Sequence, residues 1–329
     1  MNKRKLGRTN LHVSELCLNT AKFGFSHDEA SSFALLDTYH AGGGSFIESL
    51  GFSPNSAAAQ LVESSSEDIV GRWRETRAIS RDSLLLASRI NFFRPVHGGA
   101  ITFANLIRES CERTLRRLRT KHLDLLICDW DEQLVPVADL LEAVDMLIRA
   151  GLVRYAVAGG FPPWRVVDSI YRSGTRNHAR FEALQAEYSL MSRAYFEPEA
   201  LSMCREHRLG FLARSPLAGG FLAQRPLSSR ELISLDRNWQ SERFGSNVGD
   251  AVLKVLAEIA DKRLATPAQI ALAWVLRNSQ VTSAVISASD PRELRELILA
   301  ADIVLSDQET GALANITTIQ DPRMELRHV

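Results

Sequence analysis

Short apolar runs alternate along this chain with longer stretches whose apolar residues recur every three to four positions. The clearest run is Leu123, Leu125, Leu126 and Ile127, set between two amphipathic stretches. A nearly continuous run of this kind predicts a strand buried on both faces, the habit of parallel sheets covered by helices. Similar strands are predicted at 16–18, 45–47, 84–87, 153–157, 183–185, 211–213 and 283–286. Helices are predicted at 28–41, 66–74, 103–118, 137–150, 162–173, 196–207, 249–263, 266–278 and 290–300, with a last one from Ser306.

Punctuation along the chain supports these boundaries. Thr266 followed by Pro267 reads as an N-cap with proline in the first turn, and Ser306 with Glu309 three residues on as a capping box. Ser66 opens a stretch that reads as a capped helix. Gly42, Gly43 and Gly44 read as a helix stop with left-handed backbone rather than a phosphate cradle. Residues 4–16 hold two alternating segments around Gly7–Asn10, a hairpin pattern. Eight strands each followed by a helix predict α/β architecture: a (β/α)8 TIM barrel with an N-terminal hairpin and an extra C-terminal helix, one domain over residues 1–329. Residues 222–248 are long, polar and aperiodic, which suggests a lid or binding loop.

Composition narrows the function classes. The 39 basic and 39 acidic side chains cancel, without long runs of either sign, so nucleic-acid and membrane-surface binding are not expected. Cys17, Cys111, Cys128 and Cys204 form no C-x-x-C, and the histidines show no tight ligand spacing, so a reduced cytoplasmic protein without a metal site is expected. No signal peptide and no run long enough to span a bilayer is read from the sequence.

In a barrel of this class, chemistry sits at the C-terminal ends of the strands. Glu48, Arg89 and Asp129 fall at such ends. Arg89 paired with Glu48 and Asp129 would form an inert network. Alternatively, the arginines could fork onto an anionic ligand, with Glu48 or Asp129 as a general base. Cys128 reads as a buried structural cysteine rather than a nucleophile, and Trp130 and Phe52 as pocket wall or rim packing. Arg225, Arg230, Arg237 and Arg243 in the long loop could clamp an anion or form a solvated face.

Several motifs resemble the aldo/keto reductase family, in order and spacing from about residue 3 to 310. They are K-L-G-R-T-N-L-H-V-S-E-L at the hairpin, S-E-D-I-V-G-R-W at 66–73, L-R-R-L-R-T-K-H-L-D-L at 115–125, A-G-L-V-R-Y at 150–155, Q-A-E-Y-S-L at 185–190 and S-P-L-A-G-G-F-L at 215–222. The resemblance implies NADPH-dependent carbonyl reduction by an Asp, Tyr, Lys and His tetrad. The matching positions here are Glu48, Ser53, Arg89 and Asp129. A serine hydroxyl is a far weaker acid than a phenol of pKa about 10. Arginine cannot give up its proton, and Asp129 would oppose alkoxide character on a substrate oxygen.

The cofactor positions implied by the resemblance are also altered. Gly159 and Gly160 stand where a Ser-Asn pair holds the nicotinamide amide, and Arg214 where an aromatic ring stacks. Gln185 and the Ser215-Pro216-Leu217 turn are kept. Ser287 and Ser289 fall in the phosphate loop, Glu293 where a basic or amide residue meets the 2′-phosphate, and Leu297 at an adenine-contacting asparagine. NADP(H) binding is therefore expected to be weak or absent, although Arg292 or Arg295 could compensate. The expected protein is a homologue inactive in, or repurposed from, carbonyl reduction. Its alternatives are an oxidoreductase with a noncanonical NAD(P) site and a ligand- or partner-binding regulatory module.

Overall fold

A computed structural model describes residues 1–50, 57–91, 100–129, 135–223 and 243–317. Strands β1 (Lys3–Lys5) and β2 (His12–Ser14) form an antiparallel hairpin with Arg4 opposite Val13. The next eight, β3 (Leu16–Asn19), β4 (Phe46–Leu50), β5 (Leu85–Asn91), β6 (Leu123–Asp129), β7 (Val153–Gly159), β8 (Phe181–Glu187), β9 (Gly210–Arg214) and β10 (Ser283–Ile286), run parallel and close into a barrel. Helices α1 (Glu29–Ala41), α2 (Ala57–Thr76), α3 (Ala100–Arg117), α4 (Val137–Arg149), α5 (Pro163–Arg176), α6 (Leu201–Glu206), α7 (Asn247–Arg263), α8 (Pro267–Arg277) and α9 (Pro291–Leu299) surround it, and α10 (Asp307–Ile316) follows. This is the (β/α)8 barrel with hairpin and extra helix that the patterning predicts. Among the described residues no helix is long and apolar enough to cross a membrane.

The period of two along each strand sorts the side chains. On β6, Leu125 and Ile127 join the inner cluster with Cys17, Phe46, Ala87, Val157 and Leu212, while Leu126 and Cys128 pack outward against helices. Each buried Leu, Ile or Phe contributes roughly 1.5–3 kcal/mol through removal from water. Leu6, Leu11 and Val13 of the hairpin join the inner cluster and close the N-terminal end of the barrel. Gly7 makes this plug possible: its φ is +52°, and a Cβ there would lie 2.7 Å from the Glu182 carbonyl oxygen.

Three elements differ from the sequence reading. Helix α2 begins at Ala57, so Ser66 is interior rather than a cap; its hydroxyl donates to the Thr20 carbonyl at 2.9 Å. The helix read over 196–207 forms, but its first turn, Phe196–Ala200, is π and passes into α-helix only at Leu201; Pro198 in that turn has no N–H to donate. Strands β7 and β8 extend beyond their apolar cores to Gly159 and Glu187, through polar or small residues that pattern alone ends early.

The capping boxes at Thr266 and Ser306 are both formed. Glu309 closes the second one and also receives Arg263 of α7. The Arg263 hydrogen bond, followed by the Ser306 backbone N–H, depresses the Glu309 carboxyl to about 2 from an ordinary 4.5. A depressed folded-state pKa means stability that is present above pH 4.5 and lost as pH falls toward 2. Glu309→Gln should therefore lower the urea midpoint at pH 7. Its difference from wild type should shrink between pH 4.5 and 2, and a constant difference would contradict this assignment.

Candidate functional site

Strand parity brings Glu48, Arg89, Asp129 and Gln185 to the inward face at the C-terminal ends of β4, β5, β6 and β8. Arg89 stands at the centre. Its Nε and Nη2 donate to Glu48 Oε1 at 3.2 and 3.1 Å, and its Nη1 donates to Asp129 Oδ1. Gln185 Nε2 donates to the other Glu48 oxygen at 2.7 Å. The Arg89 and Glu48 side chains are 7% and 2% exposed, whereas Asp129 is 32% exposed, so Asp129 alone of the three faces the mouth. Burial works against the Arg89 charge, but attraction to Glu48 and then Asp129 overrides it and holds the guanidinium above its ordinary range.

The neighbours conform to this network. A Cβ on Gly159 would lie 2.2 Å from Asp129 Oδ1, so the aspartate occupies the space that a side chain at 159 would need. Gln185 Oε1 is buried and has no hydrogen-bond partner among the described residues. Below Glu48, burial and then the Glu48 charge push the Cys17 thiol well above its usual range. Cys128 faces outward into the helix layer, where burial, then Asp129, raises its thiol pKa, so it is a structural cysteine.

Beside the network, a cavity of about 300 Å³ runs along the ends of β3, β9 and β10. Its walls include Asn19, Lys22, Arg214, Ser215, Leu217, Gly219, Gly220, Ser287, Ser289 and Glu293. Ser215, Ala218, Gly219 and Gly220 all have positive φ, so the turn is a strained, built rim rather than a passive connection. Glu293, in the first turn of α9, reaches back to accept the Ser289 N–H at 2.7 Å, while Asp290 caps the same helix by accepting the Arg292 and Glu293 N–H groups at 2.7 and 2.9 Å. Arg292 points along the helix to Glu296 at 3.3 Å. Leu297 is buried among the helices.

Glu187 accepts from Arg243 at 2.6 Å and lies 3.9 Å from Arg214. The charges at this end of the barrel therefore divide: Glu48, Arg89 and Asp129 meet directly, while Arg214 belongs to a separate group on the rim. Arg243, read as a possible clamp, is one arm of that group. Ser53, Phe52, Trp130, Arg225, Arg230 and Arg237 lie outside the described residues, as does most of the 222–248 loop. Sequence reasoning missed Asn19, Lys22 and the Gly219-Gly220 pair as cavity walls. The glycine pair was visible in the A-G-G-F stretch, but nothing in its spacing announced positive φ.

The model of the aldo/keto reductase family matches residues 17–318. The chain is 31% identical over 326 residues to a Bacillus subtilis protein named uncharacterized oxidoreductase YrpG, covering 94% of each. It is 26% identical to norsolorinic acid reductase B of Aspergillus parasiticus, over 93% of this chain and 81% of that one. It is 27% identical to protein tas of Escherichia coli, over 98% of this chain and all of the other.

Removing one partner of a buried ion pair leaves an uncompensated charge. Arg89→Met should therefore destabilise the protein by roughly 3–5 kcal/mol in chemical denaturation, and adding Glu48→Gln should recover most of the loss. Gly159→Ala should cost about 1–3 kcal/mol by driving a methyl into Asp129. A neutral result for either single variant would remove the network from the folded state's core.

Proposed function

The chain belongs to the aldo/keto reductase family, and from that premise we propose that its barrel is repurposed away from NADPH-dependent carbonyl reduction and serves as a ligand- or partner-binding body. The observation that carries this reading is Arg89 buried between Glu48 and Asp129. Delivering hydride to a carbonyl carbon leaves an oxygen that must be stabilised and protonated. At the corresponding strand ends this chain offers a guanidinium already engaged by two carboxylates, and a carboxylate facing the mouth. Ser53 stands at the position of the family's phenolic donor, with a hydroxyl too weakly acidic for that task.

The NADP(H) that the family implies also meets a poor fit. The Glu293 carboxylate, not a cation, lies in the cavity wall, and it already takes the Ser289 N–H. A 2′-phosphate there would meet like charge and an occupied donor. Arg292 is turned to Glu296 and does not offset this.

A second reading rests on two other observations. Gln185 keeps a buried acceptor without a partner among the described residues, and the strained 215–220 turn still frames a cavity. Both support an oxidoreductase that holds a nicotinamide cofactor through altered contacts, in keeping with the oxidoreductase and reductase names of its relatives.

Titration with NADPH and NADH by calorimetry, together with turnover on a panel of aldehydes and ketones, separates the readings. The leading one expects no reduction above background and NADPH affinity no tighter than about 1 mM, or about −4 kcal/mol. Micromolar binding with turnover would overturn it in favour of the second. Combining Glu48→Asp, Ser53→Tyr, Arg89→Lys and Asp129→His should introduce measurable reduction if the strand-end residues are the only obstacle.

A further inference from the structure

At the opposite end of the barrel, a cavity of about 500 Å³ opens between the ends of α4 and α5, the starts of β7 and β8, and the hairpin turn. Its apolar wall is Ile148, Ile170 and the Tyr155 ring; its polar wall holds Arg8, Arg154 and Arg180 with one carboxylate, Glu182. Two guanidiniums converge on that single carboxylate. Arg8 Nη2 lies 3.1 Å and Arg180 Nε 3.5 Å from the same oxygen, Glu182 Oε1. Arg154 turns one arm to the buried Asp124 at 2.8 Å and the other to Asn10 Oδ1 at 3.2 Å. Asp124 is itself shared with Arg81 at 2.7 Å. Four guanidiniums thus meet two carboxylates, and the rim keeps an excess of positive charge.

The remaining donors are directional. Arg180 spends Nη2 on the His207 carbonyl at 2.8 Å and Nε on the Phe181 carbonyl at 3.3 Å, and Arg8 spends Nε and Nη2 on Glu182. Neither uses Nη1 on a described residue. Burial lowers the Arg180 pKa against the pull of Glu182, and repulsion from Arg8 adds to the lowering. An oxyanion entering here would take charge-assisted donors from two converging forks while its carbon body lay on the isoleucines.

We propose that this cavity binds an amphipathic anion, a carboxylate or phosphate monoester carried on an apolar or aromatic group, at a site separate from the barrel mouth. His178 lines the same cavity and reports on it without touching the mouth. The test is NMR of the His178 imidazole in the full chain, assigned through His178→Gln, during titration with phenyl phosphate, benzoate and inorganic phosphate. The expected result is a saturable His178 shift with phenyl phosphate or benzoate, weaker for inorganic phosphate and weakened by salt. Whichever aromatic probe binds tighter tells phosphorylated from carboxylate ligands. Arg8→Gln, at a half-exposed side chain, should weaken binding about tenfold, the loss of one charge-assisted hydrogen bond. Glu182→Gln should strengthen it, which keeps a second, oppositely signed readout should the first variant fold poorly. No saturable shift at about 10 mM probe, equal binding by wild type and Arg8→Gln, or inorganic phosphate binding as tightly as phenyl phosphate would overturn the proposal.

Discussion

A guanidinium taken out of water inside a parallel barrel must be matched in charge and hydrogen bonds on every side, and Arg89 imposes that requirement on the whole upper layer. Glu48 is fixed by it from β4, Asp129 from β6, and Gln185 is drawn in through Glu48. Gly159 on β7 is then small because Asp129 fills its space. Residues on five strands are thus explained by one buried cation. Together they satisfy one electrostatic condition.

Much of the fold was legible because barrel strands buried on both faces leave a signal that needs no alignment. The Leu123–Ile127 run is continuous because Leu125 and Ile127 fill the inside while Leu126 faces the helices. The caps at Thr266 and Ser306 were legible for a similar reason: they are local hydrogen-bond contracts written within four residues. Ser66 misled because the same serine–acid signature can sit inside a helix, where Ser66 and Glu67 bond to Thr20 and Ser88 across a tertiary contact instead. The pairing of Arg89 with Glu48 and Asp129 was anticipated from strand-end placement. The grouping of Arg214 with Glu187 and Arg243 was not, because a side chain's choice among several partners on a rim depends on geometry that no spacing encodes.

Glu293 has a local explanation in the structure. Placed in the first turn of α9, its carboxylate reaches back to the Ser289 N–H, much as a capping-box glutamate does. That contact stabilises the start of the helix whether or not any phosphate is near. The residue therefore carries a structural role of its own.

The two ends of the barrel solve the same problem with opposite signs. At the mouth one guanidinium is held by two carboxylates, while at the hairpin end a buried carboxylate, Asp124, is held by Arg81, Arg154 and the Leu86 N–H. Each centre satisfies its buried ion, yet the surplus it shows to solvent differs. Asp129, the exposed member above, is an anion, whereas Arg154, the exposed member below, is a cation. The anion site proposed at the hairpin end draws on this difference in the sign of the exposed member. In a barrel fold, where chemistry sits at the C-terminal ends of the strands, that difference in sign is a physical reason to look for recognition at the other end.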